Sequence, residues 1–385
     1  MSEPLAIYLH VPFCRQKCAY CDFASWSGRE GEIGRYFDAL MTEIRLWSGI
    51  TDFGRLSDDY AVRSLFIGGG TPTLPEAEHI AEAIEACRGI APFDGDAEIT
   101  LEGNPGTLTA EKLAVYRRAG VNRLSLGAQS FDEGLLRSLG RIHTAGQIGE
   151  AVDMARAAGF ENINLDLMYA LPGQTMAQWL DTLKRAAALE VSHISAYSLI
   201  VEDGTPMAGR VARGEAILPD EDAVNAMQRA ATAYLMEAGY HRYEISNYAR
   251  PGAECRHNLT YWHRGDYLGL GCAAHSLMKR CRFSNPDRLE DYLAGRRRVD
   301  LRKLTREDAM EETLMLATRT ARGLDLAKWR RDFAEDFMDG RRAIAERLRA
   351  AGLIEIAEGF LRCTERGMEV QDAVVLELLD DTERR

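Results

Sequence analysis

Through the first 240 residues, short aliphatic and β-branched runs alternate with longer stretches whose apolar positions recur every three or four residues. The short runs are Leu5–His10, Ser64–Ile67, Ala97–Glu102, Asn122–Leu126, Asn162–Tyr169 and His193–Leu199. They are too brief and too uniformly apolar for helices and predict strands buried on both faces. The longer stretches predict helices over Tyr36–Trp47, Pro75–Arg88, Ala110–Ala119, Gly146–Ala158, Met176–Leu189 and Glu221–Ala238. Gly120, Gly159 and Gly239 follow three of them, where a left-handed residue closes a helix. Six β–α units in a row call for a parallel sheet with right-handed crossovers.

The pattern changes after residue 240. Tyr240–Tyr248 and Tyr261–Leu270 are aromatic-rich, glycine-punctuated and strand-like. From Thr305 onward, helices are predicted over Glu307–Arg322, Leu326–Phe337 and Arg341–Ala351. A two-stranded wing follows, Leu353–Ala357 and Phe360–Cys363, turning at Glu358-Gly359. The expected divisions are residues 1–240, a mixed extension over 241–304 and a helical, winged-helix-like tail over 305–385. No repeat, low-complexity segment or linker sharpens these boundaries.

The polar and glycine-rich strings fall where the predicted strands end. Cys14–Cys21 follows the first, Gly68-Gly69-Gly70-Thr71-Pro72-Thr73 the second, Glu102-Gly-Asn-Pro the third and Gly127-Ala-Gln129-Ser the fourth. Asp166 lies within the fifth, and Leu171-Pro-Gly-Gln comes after it. Parallel β/α folds gather their chemistry at the carboxyl ends of strands. An open, doubly wound sheet would satisfy the element order equally. Convergence of these strings on one mouth favours an α/β fold of the partial (β/α)6, TIM-like barrel type.

Composition narrows the setting. The 385 residues carry a formal net charge of −12, which disfavours sequence-independent nucleic-acid binding. From Lys279 to Lys303 the trend reverses, with seven arginines and two lysines against four acids. That run is either a solvated face or a docking surface for an anionic partner. No apolar run approaches the length of a membrane span, which leaves only peripheral membrane contact. The start, Met1-Ser-Glu-Pro-Leu, has no basic export signal, and eight cysteines are too sparse for a disulfide framework. A reducing cytoplasm is the expected location.

Cys14, Cys18 and Cys21 form a C-x₃-C-x₂-C set with no fourth cysteine nearby. Thiolates this crowded hold a soft metal or an iron–sulfur cluster. Zinc wants four ligands and would have to recruit His10 or Cys255. A [4Fe-4S] cluster held by three thiolates instead leaves one iron open. The glycine run after the second strand lets backbone approach a ligand closely, and it lacks the lysine of a phosphate loop. Glu102, Gln129, Arg141 and Asp166 are each explicable as a cap or loop polar. Together they suit a ligand bearing a ribose diol, a cation and a carboxylate, and Arg141 offers a fork for the last.

The cysteine spacing, on a loop after the first strand of a β/α barrel, resembles the radical S-adenosylmethionine superfamily. The resemblance implies that the open iron chelates S-adenosyl-L-methionine, whose reductive cleavage yields a 5′-deoxyadenosyl radical, and that a reductant serves the cluster. It places Tyr20 near the adenine. The string His10-Val-Pro-Phe-Cys…Tyr-Cys-Asp-Phe, with Gly-Gly-Gly-Thr-Pro-Thr, Glu-Gly-Asn-Pro, Gly-Ala-Gln-Ser and Leu-Pro-Gly-Gln-Thr, is similar to the oxygen-independent coproporphyrinogen III oxidase branch. That branch includes the HemW-type haem chaperones, and the similarity runs over nearly the whole chain. It implies that Tyr8, Gly69, Gly70, Thr71, Glu102, Gln129, Arg141 and Asp166 contact S-adenosylmethionine.

Two features separate the members of that branch. The oxidases resemble C-x₃-C-x₂-C-x-C, and Phe23 stands where their last cysteine falls. Only thirteen residues precede Cys14, too few for the oxidases' N-terminal extension. His257-Asn-Leu-Thr-Tyr261-Trp262 matches the H-N-x-x-Y-W string of the chaperones, and Gly269-Leu-Gly-Cys-Ala-Ala-His275-Ser resembles their G-x-G-A-H-S with Cys272-Ala273 as a small departure. The resemblance therefore implies a chaperone that carries haem to an acceptor protein which no motif identifies. Coproporphyrinogen oxidation is the alternative. His257 is the expected axial ligand, with Tyr261 and Trp262 against the macrocycle and Arg256 or Arg264 at the propionates. The competing reading makes His257 and Asn258 hydrogen-bonding anchors, and Tyr261 and Trp262 packing between barrel and tail. His10 and His275 read as a satisfied imidazole below the cluster and a wall residue of the S-adenosylmethionine site.

Overall fold

The computed structural model describes residues 2–379. Six parallel strands run in chain order: β1 (Glu3–Val11), β2 (Tyr60–Gly69), β3 (Phe93–Gly103), β4 (Arg123–Gln129), β5 (Asn162–Tyr169) and β6 (His193–Ser198). Helices Ile33–Trp47, Ala77–Cys87, Ala110–Ala119, Ala145–Ala157 and Met176–Ala188 lie between successive strands, and Glu221–Glu237 follows the sixth. Each matches an expected helix to within a few residues. Gly120 adopts a φ of 103°, a conformation that costs a side-chain-bearing residue about 1 kcal/mol or more, and so ends its helix there.

The extension completes both edges of this array. On the β6 side, β7 (His241–Arg242) and β8 (Asn247–Ala249) add antiparallel. On the β1 side, β9 (Tyr267–Leu270) pairs parallel to β1, and β10 (His275–Met278), β11 (Cys281–Ser284) and β12 (Val299–Lys303) follow antiparallel. The result is one twelve-stranded mixed sheet, unclosed, with β12 and β7 at its edges. The partial-barrel architecture holds. The sheet and its helices enclose one large core reaching from Leu5 to Tyr292.

The tail has its own core, from Ala309 to Leu378. Helices Arg306–Ala317, Leu326–Phe333 and Arg342–Ala350 precede the wing strands Ile354–Ala357 and Phe360–Cys363, which join Leu324–Asp325 in a three-stranded sheet. The second helix stops four residues earlier than expected because Ala334 turns left-handed, at φ 53°. Glu312 pins the tail to the sheet by pairing with both Arg264 and Arg282 at 2.8 Å.

One expected strand is a helix. Tyr261 and Trp262 end the helix Arg256–Trp262, and only Tyr267–Leu270 of that stretch is extended. Free N–H groups at a helix start need an acceptor. Here Glu98 on β3 supplies it, accepting from Arg256 N at 3.0 Å and His257 N at 3.2 Å. A cap borrowed from so far along the chain leaves no local signature.

The basic run is an ion-paired face. Lys279 meets Asp59, Arg282 meets Glu312, Arg296 meets Asp291, Arg298 meets Asp52 and Arg302 meets Asp308. Among the described residues, no helix is long and apolar enough to cross a membrane.

Candidate functional site

The loop after β1 carries the three cysteines and is held by its backbone. Ala19 N donates to Leu139 O at 3.0 Å, Met207 N donates to Ala19 O at 2.8 Å, and Cys21 N turns back to Cys18 O at 3.2 Å. Lys17 Nζ ties off the carbonyls of Phe23 and Ser25. Ala19 and Tyr20 pack on a small apolar cluster built from Leu139, Met168, Leu199 and Met207.

Cys14, Cys18 and Cys21 face one cavity of about 530 Å³. The same cavity is lined by Tyr20, Gly69, Gly70, Thr71, Glu102, Gln129, Arg141 and Asp166, so residues from five strand ends meet there. Thr71 Oγ1 donates to Cys14 Sγ at 3.6 Å, and Arg141 Nη1 to Cys18 Sγ at 3.5 Å. Arg141 Nη2 also donates to Asn104 Oδ1 and to Gly127 O, which fixes the guanidinium against the cavity wall. At Gly70 a Cβ would lie 2.7 Å from Phe13 O and 3.0 Å from Cys14 Sγ, so only glycine lets this backbone lie against the cysteine loop. Gln129 sits at φ 63° where the β4–β5 register shifts, and Tyr197 donates to its Oε1 at 3.0 Å. A non-glycine residue held left-handed at a strand end is strain of about 1–3 kcal/mol, of the kind found at binding sites.

The donor set fits a cluster better than a single ion. Among the described residues, no three His, Cys, Asp or Glu side chains converge on one metal position. Neither residue a zinc site would recruit is available. His10 Nε2 meets Ala24 O at 2.8 Å while Tyr8 OH meets its Nδ1 at 3.0 Å, and buried Cys255 donates to Glu98 at 3.5 Å. The three thiols instead line one open cavity, a setting in which thiolates can hold an iron–sulfur cluster.

Burial shapes the charges. It pushes the Glu102 carboxyl up to about 8, helped by the charge of Asp166, while Gly69 N–H at 3.2 Å pulls the other way. Burial also raises Asp166, against hydrogen bonds from Ser195, Asn164 and Ser125. Burial lifts the thiols of Cys14 and Cys21, with Thr71 and Phe23 N–H opposing. Burial would lower Arg141, but Tyr20 and Cys18 more than offset it and its cation is favoured. The cavity thus sets two buried carboxyls and one guanidinium around three thiols.

Tyr8 stands apart from the cysteine cavity. It faces a smaller chamber of about 210 Å³ inside the barrel, bounded by Glu102, Arg123, Asp166, His257 and Tyr261. His257 is 1% exposed, and both its nitrogens are engaged, Nδ1 with Ser64 Oγ at 3.0 Å and Nε2 with Tyr261 OH at 2.7 Å. Burial and nearby Arg123 drive its pKa down to about 3, so the ring is neutral. Ligand pockets typically hold about 300–1,000 Å³, and this chamber is below that range. In this structure His257 is thus engaged by its neighbours on both sides of the ring. It anchors the helix Arg256–Trp262 to β2. Trp262 is not part of this chamber and lies under Arg319 of the tail, 6.0 Å from the ring centre. The arginines expected at propionates are likewise occupied, Arg256 by Asp96 at 2.8 Å and Arg264 by Glu312.

Two site residues escaped the sequence reading. Asn104 bridges Thr71 and Arg141, and Tyr197 at the end of β6 holds Gln129. The first sits inside the quoted Glu-Gly-Asn-Pro string. The second was signalled only by its place near the end of a predicted strand.

Comparison with known proteins agrees with this geometry. Residues 8–186 match the Radical SAM superfamily, and residues 304–370 match the HemN C-terminal domain. A heme chaperone HemW of Mycobacterium tuberculosis is 37% identical over 386 residues, 98% of this chain and 95% of that one. A heme chaperone HemW of Haemophilus influenzae is 41% identical over 302 residues, 76% of each chain. The solved structure of coproporphyrinogen III oxidase (HemN) from Escherichia coli superposes with a TM-score of 0.83 at 26% identity, covering 99% of this chain and 91% of that one. Since the similarity spans sheet, extension and tail alike, the chain belongs to the radical S-adenosylmethionine superfamily, on the HemW side of its coproporphyrinogen-oxidase-like branch.

Proposed function

We propose that this chain is a cytoplasmic haem chaperone. It holds a four-iron cluster through Cys14, Cys18 and Cys21, binds S-adenosylmethionine beside it, and carries haem to an acceptor protein. The observation that carries the reading is the single cavity in which the three thiols meet Gly69, Gly70, Glu102, Gln129, Arg141 and Asp166. Its relatives' names supply the haem.

When bound and reduced, the cluster and S-adenosylmethionine supply a source of the 5′-deoxyadenosyl radical. The protein's own part is positioning. Arg141, held by Asn104 and Gly127, presents its fork to a carboxylate. The backbone at Gly69 and Gly70 would receive the methionine amino group, with the Glu102 side chain held behind it by Gly69 N–H. Asp166, oriented by Ser125 at 3.1 Å and Asn164 at 2.8 Å, suits a ribose diol. Tyr20, half-buried beside Cys21, would give the adenine an aromatic neighbour.

Phe23, 60% exposed at the cavity lip, favours carrier over decarboxylase. The oxidases resemble a pattern with cysteine at that position. An anaerobic assay with reductant, S-adenosylmethionine and coproporphyrinogen III tests the choice. The expected result is no protoporphyrinogen, together with stoichiometric haem uptake. Protoporphyrinogen formation over many turnovers would replace the carrier reading with the oxidase. Cys18→Ala should lose the cluster iron and its brown absorbance, and retention of four irons would refute the ligand set.

A further inference from the structure

Three segments that hydrogen-bond to one another form an exposed face over the cysteine loop. They are the loop Cys14–Cys21 itself, the helix Glu133–Leu139 with the turn after it, and the helix Pro206–Ala212. Gln16 Nε2 donates to Gly140 O at 3.1 Å, and Ala19 N to Leu139 O at 3.0 Å. Met207 N donates to Ala19 O and Arg210 Nη1 to Ser138 O, both at 2.8 Å. Half-buried Cys18 sits against this face, for a side chain at Gly140 would begin 3.8 Å from its Cα.

The face is basic in an acidic chain. Residues 14–21, 135–142 and 206–212 hold Arg15, Lys17, Arg137, Arg141 and Arg210 and no aspartate or glutamate, whereas the whole chain carries −12. Arg15, Lys17 and Arg137 are exposed, and exposed Ile142 adds an apolar contact. Among the described residues, none of the five cations has a carboxylate partner. Lys17 and Arg210 are spent on carbonyls, and Arg141 on Asn104, Gly127 and Cys18. The side chains of Arg15 and Arg137 make no hydrogen bond. This is the reverse of the run from Lys279 to Lys303, whose cations meet carboxylates. Several acids nearby are engaged elsewhere. Asp132 caps its own helix, Glu133 accepts from Ala145 N and Glu215 pairs with Arg213. Asp22 and Glu202, at the cavity lip, and Asp203 only border the face.

Resting on the cluster assignment above, we infer that this face is where the reductant of the cluster docks, and that the reductant is an acidic, flavin-bearing carrier protein. Free cations steer an oppositely charged protein to the surface and set its orientation. A small, polar interface of this kind is also weak enough for the donor to leave after each transfer. Neither Arg15 nor Arg137 lines the cysteine cavity, so a donor held by them stays outside it. One electron leaves the donor's anionic flavin hydroquinone, which becomes the neutral semiquinone without moving a proton, and the oxidised cluster takes that electron up.

Reduction of cluster-loaded full-length protein tests the assignment, with a strongly acidic flavodoxin held as its hydroquinone for donor and photoreduced deazariboflavin, an uncharged small molecule, for control. Stopped flow follows the bleaching of the cluster, and calorimetry measures affinity for the oxidised flavodoxin. At low salt the double variant Arg15→Glu, Arg137→Glu should accept electrons from flavodoxin at least about tenfold more slowly than wild type, and bind it correspondingly more weakly. The gap should close in about 0.5 M salt. Deazariboflavin should reduce both proteins alike. Arg331→Glu, the same charge reversal at an exposed position of the tail, should behave as wild type. If the double variant does not fold, Arg15→Gln, Arg137→Gln should show a smaller slowing in the same direction. Wild-type protein that deazariboflavin cannot reduce would sink the cluster reading itself. If deazariboflavin reduces it, three results would overturn the docking face and leave that reading in place: no reduction by flavodoxin, equal flavodoxin rates in wild type and double variant, or a slowing that Arg331→Glu matches.

Discussion

Glu102→Gln isolates the electrostatic cost of the cavity. The carboxyl lies at the end of β3, and burial, with the Asp166 charge beside it, moves its pKa from 4.5 to about 8. The unfolded chain gives up that proton near 4.5, whereas the folded chain keeps it to about 8. Between those values the folded state binds one more proton, so stability falls as pH rises through the window and the loss is complete above it. Each tenfold change in proton affinity is about 1.4 kcal/mol. The full effect is therefore on the order of 4–5 kcal/mol, a large part of the about 5–15 kcal/mol that holds a domain together. Glutamine stays neutral, and its carbonyl can still accept from Gly69 N–H. Cluster-free wild type and variant should have similar urea midpoints at pH ~5. By pH ~8.5 the variant should be the more stable by a few kcal/mol, read by circular dichroism. Glu43 and Glu244 are also raised by burial, but they tilt both curves alike and cancel in the difference, whereas the interaction with Asp166 is lost with the Glu102 charge and forms part of it. A difference that stays constant across that pH range would refute the argument.

Two further outcomes follow from buried contacts. Glu43, on the helix Ile33–Trp47, accepts from Gly271 N at 3.0 Å, Asn285 Nδ2 at 2.6 Å and Tyr292 OH at 2.6 Å. Glu43→Ala strands three donors and should cost about 3 kcal/mol or more; thermal unfolding by circular dichroism checks it, and a loss under about 1 kcal/mol would speak against the network. Arg141→Lys keeps the charge but loses the fork that reaches Asn104, Gly127 and Cys18 together, and should weaken S-adenosylmethionine binding by about 10- to 100-fold. Calorimetry on cluster-loaded protein measures this, and an unchanged affinity would remove Arg141 from the site.

The strand ends and the cysteine loop were legible because the determinants of each are local. An apolar run of strand length must be buried, and the polar string that follows it must sit at the sheet's mouth. Asn162–Tyr169 is the clearest case, identical in expectation and fold. Tyr261 and Trp262 show the opposite. Their helix exists because Glu98 caps it, and no periodicity within the segment reports a carboxylate supplied by another strand. Tyr197 was missed for a similar reason, since its contact with Gln129 crosses from β6 to β4.

By itself, the sequence determined the parallel β–α order, the cluster of three cysteines and the glycine run that lies against it, because spacing along one chain is enough to specify each. Only the tertiary structure decided which imidazole is free. His10, His257 and His275 are equivalent as letters, yet the first two have both nitrogens bonded and the third faces an open cleft. A histidine's availability is a property of the atoms packed around it, and here those atoms come from distant strands.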